Sequence, residues 1–374
     1  MTPDTQALAV AGAVALLLGG VCVGAVVLGA EPPPPDPYEP TENVPAGSDY
    51  VGTLNTTEFR SDPAVRNGTR ASLAFQGAVQ FYSGPPYLRT LALDPPANAS
   101  LDPAAASHVT YFGRHGEPYG ARLVVANWSA EETTDALAAR RGVTFETETR
   151  RGFTIYRSER GPAVAVLDGG AEGGPIPREG PRLLAIGNGT AVSDAVDVAI
   201  ARADPEADPT TLGGELRRRY EDTDDGYVRF AYRFRPETVP DYPFVGPAVR
   251  TVEYVGTSYT LNRTDRGNAS ATPDIRVRIR ITSADAESAD DVRNIMSAGQ
   301  SFYLFESSNR TLKTELRRVR LDVEGRTVVT SYESSPRGLR VLVRGLFRNQ
   351  PEPQSLAAPE PTSGDIDATR EEPA

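Results

Sequence analysis

The most constraining feature is an unbroken apolar run. Residues 7–30 read ALAVAGAVALLLGGVCVGAVVLGA, without a charged or strongly polar side chain. As a helix this run would be about 36 Å long, enough to cross a bilayer core. A buried helix of a water-soluble domain is rarely apolar on every face over such a length. The run predicts a transmembrane helix over 7–30, behind a short cytoplasmic stub at 1–6. A cleaved signal peptide fits less well. MTPDTQ contains no base, the run is too long, and Leu28 occupies an outer position of the best cut site, after Ala30. Val21 in place of a small residue argues against lipid attachment at Cys22.

Neither flank of the run is basic, so charge does not orient it. Asparagine does. Eight of the eleven asparagines stand in Asn-X-Ser/Thr: Asn55, Asn67, Asn98, Asn127, Asn188, Asn262, Asn268 and Asn309. At this Ser and Thr content chance predicts about one or two. The excess predicts an N-glycosylated body outside the cell, with Asn127 and Asn188 at strand-to-helix turns. Gly20 and Gly24, continued by Ala11, Ala15 and Gly19, form a small-residue row that would allow a weak homodimer within the membrane.

The formal charge of −11 is unevenly spread. Residues 31–50 hold five acids and no base, and 350–374 hold six acids and one arginine. Residues 51–349 balance 38 acids against 38 bases. A net acidic or basic field is therefore not a property of the body, which argues against nucleic acid as a partner. The Pro-rich segment 31–48 reads as a semi-rigid stalk and 350–374 as a disordered tail. Lys313 is the only lysine; every other base is arginine. With its Ala, Gly, Val, Asp and Glu richness, the composition resembles that of membrane-anchored surface proteins of halophilic archaea. GC-rich coding alone could give the same arginine bias.

Between the flanks the pattern predicts an α+β body of two duplicated antiparallel-sheet-plus-helix units, 49–222 and 223–349. The shared grammar is an aromatic strand ending in Gly (108–113; 252–256), an alternating strand with arginine (121–125; 275–281), then Ser-Ala-acid opening a helix at Ser129 and Ser283. Ser129 with Glu132 forms a capping box. Ser335-Pro336 opens a last helix, and Glu324-Gly325 turns a hairpin.

No catalytic constellation stands out. One cysteine and two histidines exclude a disulfide framework and Cys- or His-rich metal sites, so no metal or cofactor is expected. His115 and Glu117 in Gly113-Arg-His-Gly-Glu117 lack a nucleophile and a third group. Glu221–Gly226 misses the EF-hand spacing, and Gly169–Gly174 and Gly187–Gly189 miss the phosphate-loop patterns. Arg276, Arg278 and Arg280 share one strand face, and Arg318 and Arg320 are expected to share another. Together they form a candidate binding face for an acidic envelope partner, protein or glycan, countered by Asp322 and Glu324 alongside. The sequence thus points to a binding or structural role at the cell envelope. An extracellular hydrolase with scattered site residues is the alternative, and a pocket of converging carboxylates near His115 would favour it.

Overall fold

The computed structural model describes residues 39–69, 101, 105–159, 161–167, 181–204, 206–207, 210–238, 245–262 and 274–346. The expected stub, the 7–30 segment with Gly20 and Gly24, residues 31–38, the 169–174 loop and the 350–374 tail lie outside them. No helix among the described residues is long and apolar enough to cross a membrane.

The class is α+β. Twelve strands form one sheet in the order β11-β12-β10-β9-β8-β1-β2-β3-β7-β6-β5-β4. They are β1 (Tyr50–Asn55), β2 (Ala106–Gly113), β3 (Gly120–Ala126), β4 (Glu146–Arg150), β5 (Phe153–Arg157), β6 (Ala163–Val166), β7 (Arg182–Gly187), β8 (Val228–Arg233), β9 (Val252–Asn262), β10 (Asp274–Ser283), β11 (Arg320–Glu324) and β12 (Thr327–Ser334). Every pairing is antiparallel. The helices are α1 (Thr56–Arg60), α2 (Ala130–Arg141), α3 (Gly189–Ala203), α4 (Gly214–Glu221), α5 (Gly246–Val249), α6 (Ala286–Glu306), α7 (Arg310–Leu316) and α8 (Pro336–Leu346).

Side chains alternate across a strand, so one sequence supplies two faces. In β10, Ile275, Val277, Ile279 and Ile281 are buried together while Arg276, Arg278 and Arg280 stand on the other side. The first core joins those isoleucines to Leu54, Val109, Phe230, Tyr259 and Tyr332 beneath α6, α7 and α8. Ala289, Val292 and Met296 recur at helical spacing and form the buried stripe of α6. The second core lies on the opposite face, where Val51, Phe112, Leu123, Ile155 and Ala185 meet Val192, Ala195 and Val196 of α3 and Leu216 of α4.

Strand β1 pairs with both β2 and β8, so the expected units are halves of one sheet. Outward from the β1/β8 pair each half begins with three consecutive strands; the β8 half then ends in β12 and β11, whereas the β1 half ends in the four strands β7, β6, β5 and β4. The outer edges are charged. Glu146, Thr147, Glu148 and Thr149 of β4 are all exposed, and charged side chains discourage edge-to-edge pairing with another sheet.

Two local expectations are corrected. The part of the 31–48 segment within the described residues is not a stalk. Val44 is fully buried, its carbonyl accepts from Leu212 N (2.7 Å), and Ala46 N donates to Thr210 O (3.2 Å). Burying Val44 and closing backbone hydrogen bonds gives this stretch more than solvated polyproline would offer. Helix α6 is capped after Ser283, not by it. Its cap is Asp285, which accepts from Ser288 N at 2.8 Å, while Ser283 still belongs to β10.

Candidate functional site: a charge-paired cleft beside His115

At one end of the central strands lies a cleft of about 840 Å³, lined by Asp49, His115, Glu215, Arg233, Arg235, Glu237, Arg250, Glu253, Tyr254 and Arg326 among others. Each wall comes from a different stretch. Asp49 precedes β1, His115 sits in the β2–β3 turn, and Arg233 to Glu237 leave β8. Arg250 to Tyr254 enter β9, Glu215 opens α4, and Arg326 is in the β11–β12 turn. Antiparallel pairing brings these strand ends to one place; Arg233 and Tyr254 are partners across β8 and β9.

His115 is wedged between two tyrosines, with ring centroids 5.4 Å from Tyr50 and 6.2 Å from Tyr232. Its Nε2 donates to Arg233 O (3.1 Å), which fixes the proton on that nitrogen in the neutral ring. Its backbone N–H donates to Asp49 Oδ2 (3.1 Å). Burial lowers the imidazole pKa, against an opposing pull from Asp49. Burial, with Asp49 beside it, pushes the Tyr50 hydroxyl up to about 12. Glu117 does not join His115: it pairs with Arg114 at 3.5 Å and stands outside the cleft.

The carboxylates of the cleft are held by arginine. Arg326 reaches Glu253 at 2.6 Å and Glu215 at 2.7 Å. Glu215 is also gripped by Arg218 (2.9 Å) and by Arg219. Arg235 Nε donates to Glu237 at 2.6 Å. Burial would raise the Glu215 pKa, but Arg219, Arg218 and Arg326 together hold it below the usual carboxylate value. The hydrogen bond from Arg235 lowers Glu237. Glu215 and Glu237 are therefore ionised acceptors at neutral pH. The one hydroxyl of an alcohol side chain on the wall, Thr251 Oγ1, donates to Ala248 O (2.6 Å).

The arginine face behaves differently from the expected basic platform. Arg276 pairs with Glu333 (2.8 Å), Arg278 with Asp224 (2.7 Å) and Arg280 with Glu324 (2.8 Å). Arg318 lies in the turn ahead of β11, not on a strand, and its carboxylate neighbour is Glu315 (3.6 Å). Arg320 does stand on β11, on the same face as Asp322 and Glu324. The stripe is a ladder of opposite charges, in which each guanidinium of β10 is neutralised by an acid from another segment.

Of the asparagines marked for glycosylation, Asn98 and Asn268 lie outside the described residues. Asn67, Asn127 and Asn309 are exposed, and Asn55, Asn188 and Asn262 are half-buried. Asn55, Asn188 and Asn309 cap α1, α3 and α7, accepting from Glu58 N (3.0 Å), Thr190 N (3.0 Å) and Leu312 N (3.1 Å) through Oδ1. Asn262 instead donates its Nδ2 to Glu333.

No family model and no curated protein matches the chain. Among solved structures, crystal form III of TP0453 aligns at 10% identity and a TM-score of 0.42, over 82% of this chain and 98% of the other. Crystal form I aligns at 11% and 0.38, over 82% and 97%. TM-scores below 0.5 establish no common fold.

Among the described residues no group of three or more His, Cys, Asp or Glu is placed to hold a metal ion. Sequence reasoning singled out His115 but missed Asp49, Glu215, Glu253 and Arg326. These come from four separate segments, and nothing local marks any of them.

Proposed function

We propose that this chain is a membrane-anchored, N-glycosylated binding protein of the cell envelope, with the cleft beside His115 as its binding site. The anchor is the 7–30 segment, and the body faces outward. The observation that supports binding over catalysis is that Glu215, Glu237 and Glu253 are each engaged by an arginine in an ion pair. General acid–base work needs a group that can both hold and give up its proton near neutral pH. A ring of fixed acceptors and donors suits recognition instead.

The hydrolase alternative has one observation in its favour: carboxylates do converge near His115. It lacks a free alcohol nucleophile among the described lining residues, since Thr251 Oγ1 is committed to Ala248 O.

We infer further that the two halves arose by duplication. The matching order of the three inner strands, β1–β2–β3 and β8–β9–β10, and the hairpin-then-helix sequence of β2–β3–α2 and β9–β10–α6 support this. The closing helices have diverged: α3 packs on the second core and α8 on the first.

Two measurements test the functional reading. Mass spectrometry of the chain from native membranes should find glycan masses on peptides around Asn55, Asn127 and Asn309 with 7–30 still attached. Bare asparagines throughout would reverse the orientation. Immobilised full-length chain should retain envelope components unchanged, and Arg233→Gln with Glu237→Gln should lose them. Turnover of a retained component, abolished by Glu237→Gln alone, would make the hydrolase reading correct.

A further inference from the structure

We infer that the cleft holds a neutral, polyhydroxylated ligand, a short glycan. This ligand class rests on the binding role proposed for the cleft.

Charge is the first consideration. The lining carries Asp49, Glu215, Glu237 and Glu253 against Arg233, Arg235, Arg250 and Arg326. The signs cancel, so the cleft offers no net attraction to a free anion or cation. They are also interleaved. Glu237 lies beside Arg235, and Arg326 lies between Glu215 and Glu253. Arg233 adds a guanidinium that makes no ion pair among the described residues.

Donor and acceptor chemistry is the second. A guanidinium only donates and an ionised carboxylate only accepts. A ligand atom set against the outer edge of such a pair must do both. A carboxylate or phosphate would meet the glutamates with lone pair against lone pair. An ammonium would meet the arginines with N–H against N–H. A hydroxyl donates to one neighbour and accepts from the other. Vicinal hydroxyls repeat that match along a sugar ring, at the spacing a bidentate guanidinium or carboxylate presents.

Shape is the third. A volume of about 840 Å³ lies within the roughly 300–1,000 Å³ typical of small-ligand sites. Tyr254, half-buried, and Pro236 add apolar surface to the same wall, against which the C–H face of a pyranose can lie. His115 is held neutral by burial, so it adds no charge that would favour an anion.

The test uses the full chain in detergent, with maltotriose, chitotriose and mannotriose as neutral probes. Trigalacturonate is the anionic probe, and the fully deacetylated chitosan trimer the cationic one. Saturation-transfer NMR identifies binders and calorimetry gives Kd. At least one neutral trisaccharide should bind. Arg233→Gln, an exposed position, should weaken it about tenfold, the equivalent of one charge-assisted hydrogen bond. Arg344→Gln, at an exposed position of α8 away from the cleft lining, should leave Kd unchanged. Binding of trigalacturonate or the chitosan trimer alone would overturn the ligand class while leaving a binding cleft in place. Binding of a neutral probe that ignores Arg233→Gln would place the sugar elsewhere and overturn the inference. If no probe of any charge binds and envelope components are not retained, the binding reading falls with it.

Discussion

Gly338→Ala sets two rules of helix stability against each other. Gly338 is the third residue of α8, and alanine there should gain up to about 1 kcal/mol in helix propensity. The structure opposes this. A Cβ at 338 would meet Ser334 Oγ and come within 2.9 Å of Glu315 Cδ and Oε2. Glu315 is buried and accepts from the Tyr332 hydroxyl at 2.8 Å, so it cannot swing into water without depriving that fully buried hydroxyl of its acceptor. Overpacking costs about 1–3 kcal/mol, and a buried polar group that loses its partner costs about 1–3 more. The net expectation is a destabilisation of about 1–5 kcal/mol. It would be read as a lower urea midpoint at unchanged slope. Gly345→Ala is the control. Its Cβ would meet Leu312 Cδ1 at 2.5 Å, but that atom ends a side chain able to change rotamer, so a smaller loss is expected. Adding Ser334→Ala should restore part of the Gly338→Ala loss, because it removes the nearest obstacle. A Gly338→Ala protein as stable as the parent would show that α8 sits less tightly on Glu315 than this geometry implies.

Met296→Ala, at a fully buried position of α6, should cost about 2–5 kcal/mol and lower Tm, with little change in far-ultraviolet dichroism once refolded. His115 has a pKa lowered by folding, so the unfolded chain binds its proton more readily. Its contribution is therefore complete above the ordinary histidine pKa, and it is lost as pH falls from there through the folded value. The stability difference between the parent and His115→Gln should accordingly shrink on acidification through that window, as followed by urea titration. Asn188→Ala should cost about 1 kcal/mol by removing the α3 cap, while Asn188→Asp should stay within a few tenths of the parent when unglycosylated material is compared.

What was legible in the sequence had local causes. Alternation in IRVRIRI gave β10, because each isoleucine needs the same dry face. Ser129 with Glu132 gave the start of α2, and Ser335-Pro336 that of α8, because a cap is a contact across three residues. Glu324-Gly325 gave the β11–β12 turn, with Gly325 in the left-handed region at φ 60°. The site was not legible because its causes are distant. Arg326 and Glu215 are joined across 111 residues, and Arg278 and Asp224 across 54. A stripe of arginine looks basic in a one-dimensional reading; the acids that neutralise it arrive from a neighbouring strand, a turn and the β11 edge. The same blindness turned the end of the Pro-rich segment into a stalk, since the partners of Val44 and Ala46 lie at 210–212.

The asparagine excess has a partly structural cause. Helix starts call for the residue types that make an acceptor site. At Asn55, Asn188 and Asn309 the asparagine is itself the cap, with a threonine two residues on in the first turn. At Asn127 the serine of the triplet, Ser129, is the cap. Folding alone thus accounts for a polar residue at four of the eight positions. It does not account for asparagine. Aspartate caps as well, this chain carries 50 acids, and Asp285 does that task for α6. Capping also uses Oδ1 and leaves Nδ2, the atom a glycan would take, uncommitted by the cap. At Asn262, by contrast, the amide nitrogen serves the fold by holding Glu333. Capping and glycosylation are therefore compatible at three sites, and the choice of asparagine over aspartate there is the part that capping leaves unexplained. Asn188→Asp separates the two roles, because it keeps the cap and abolishes the acceptor.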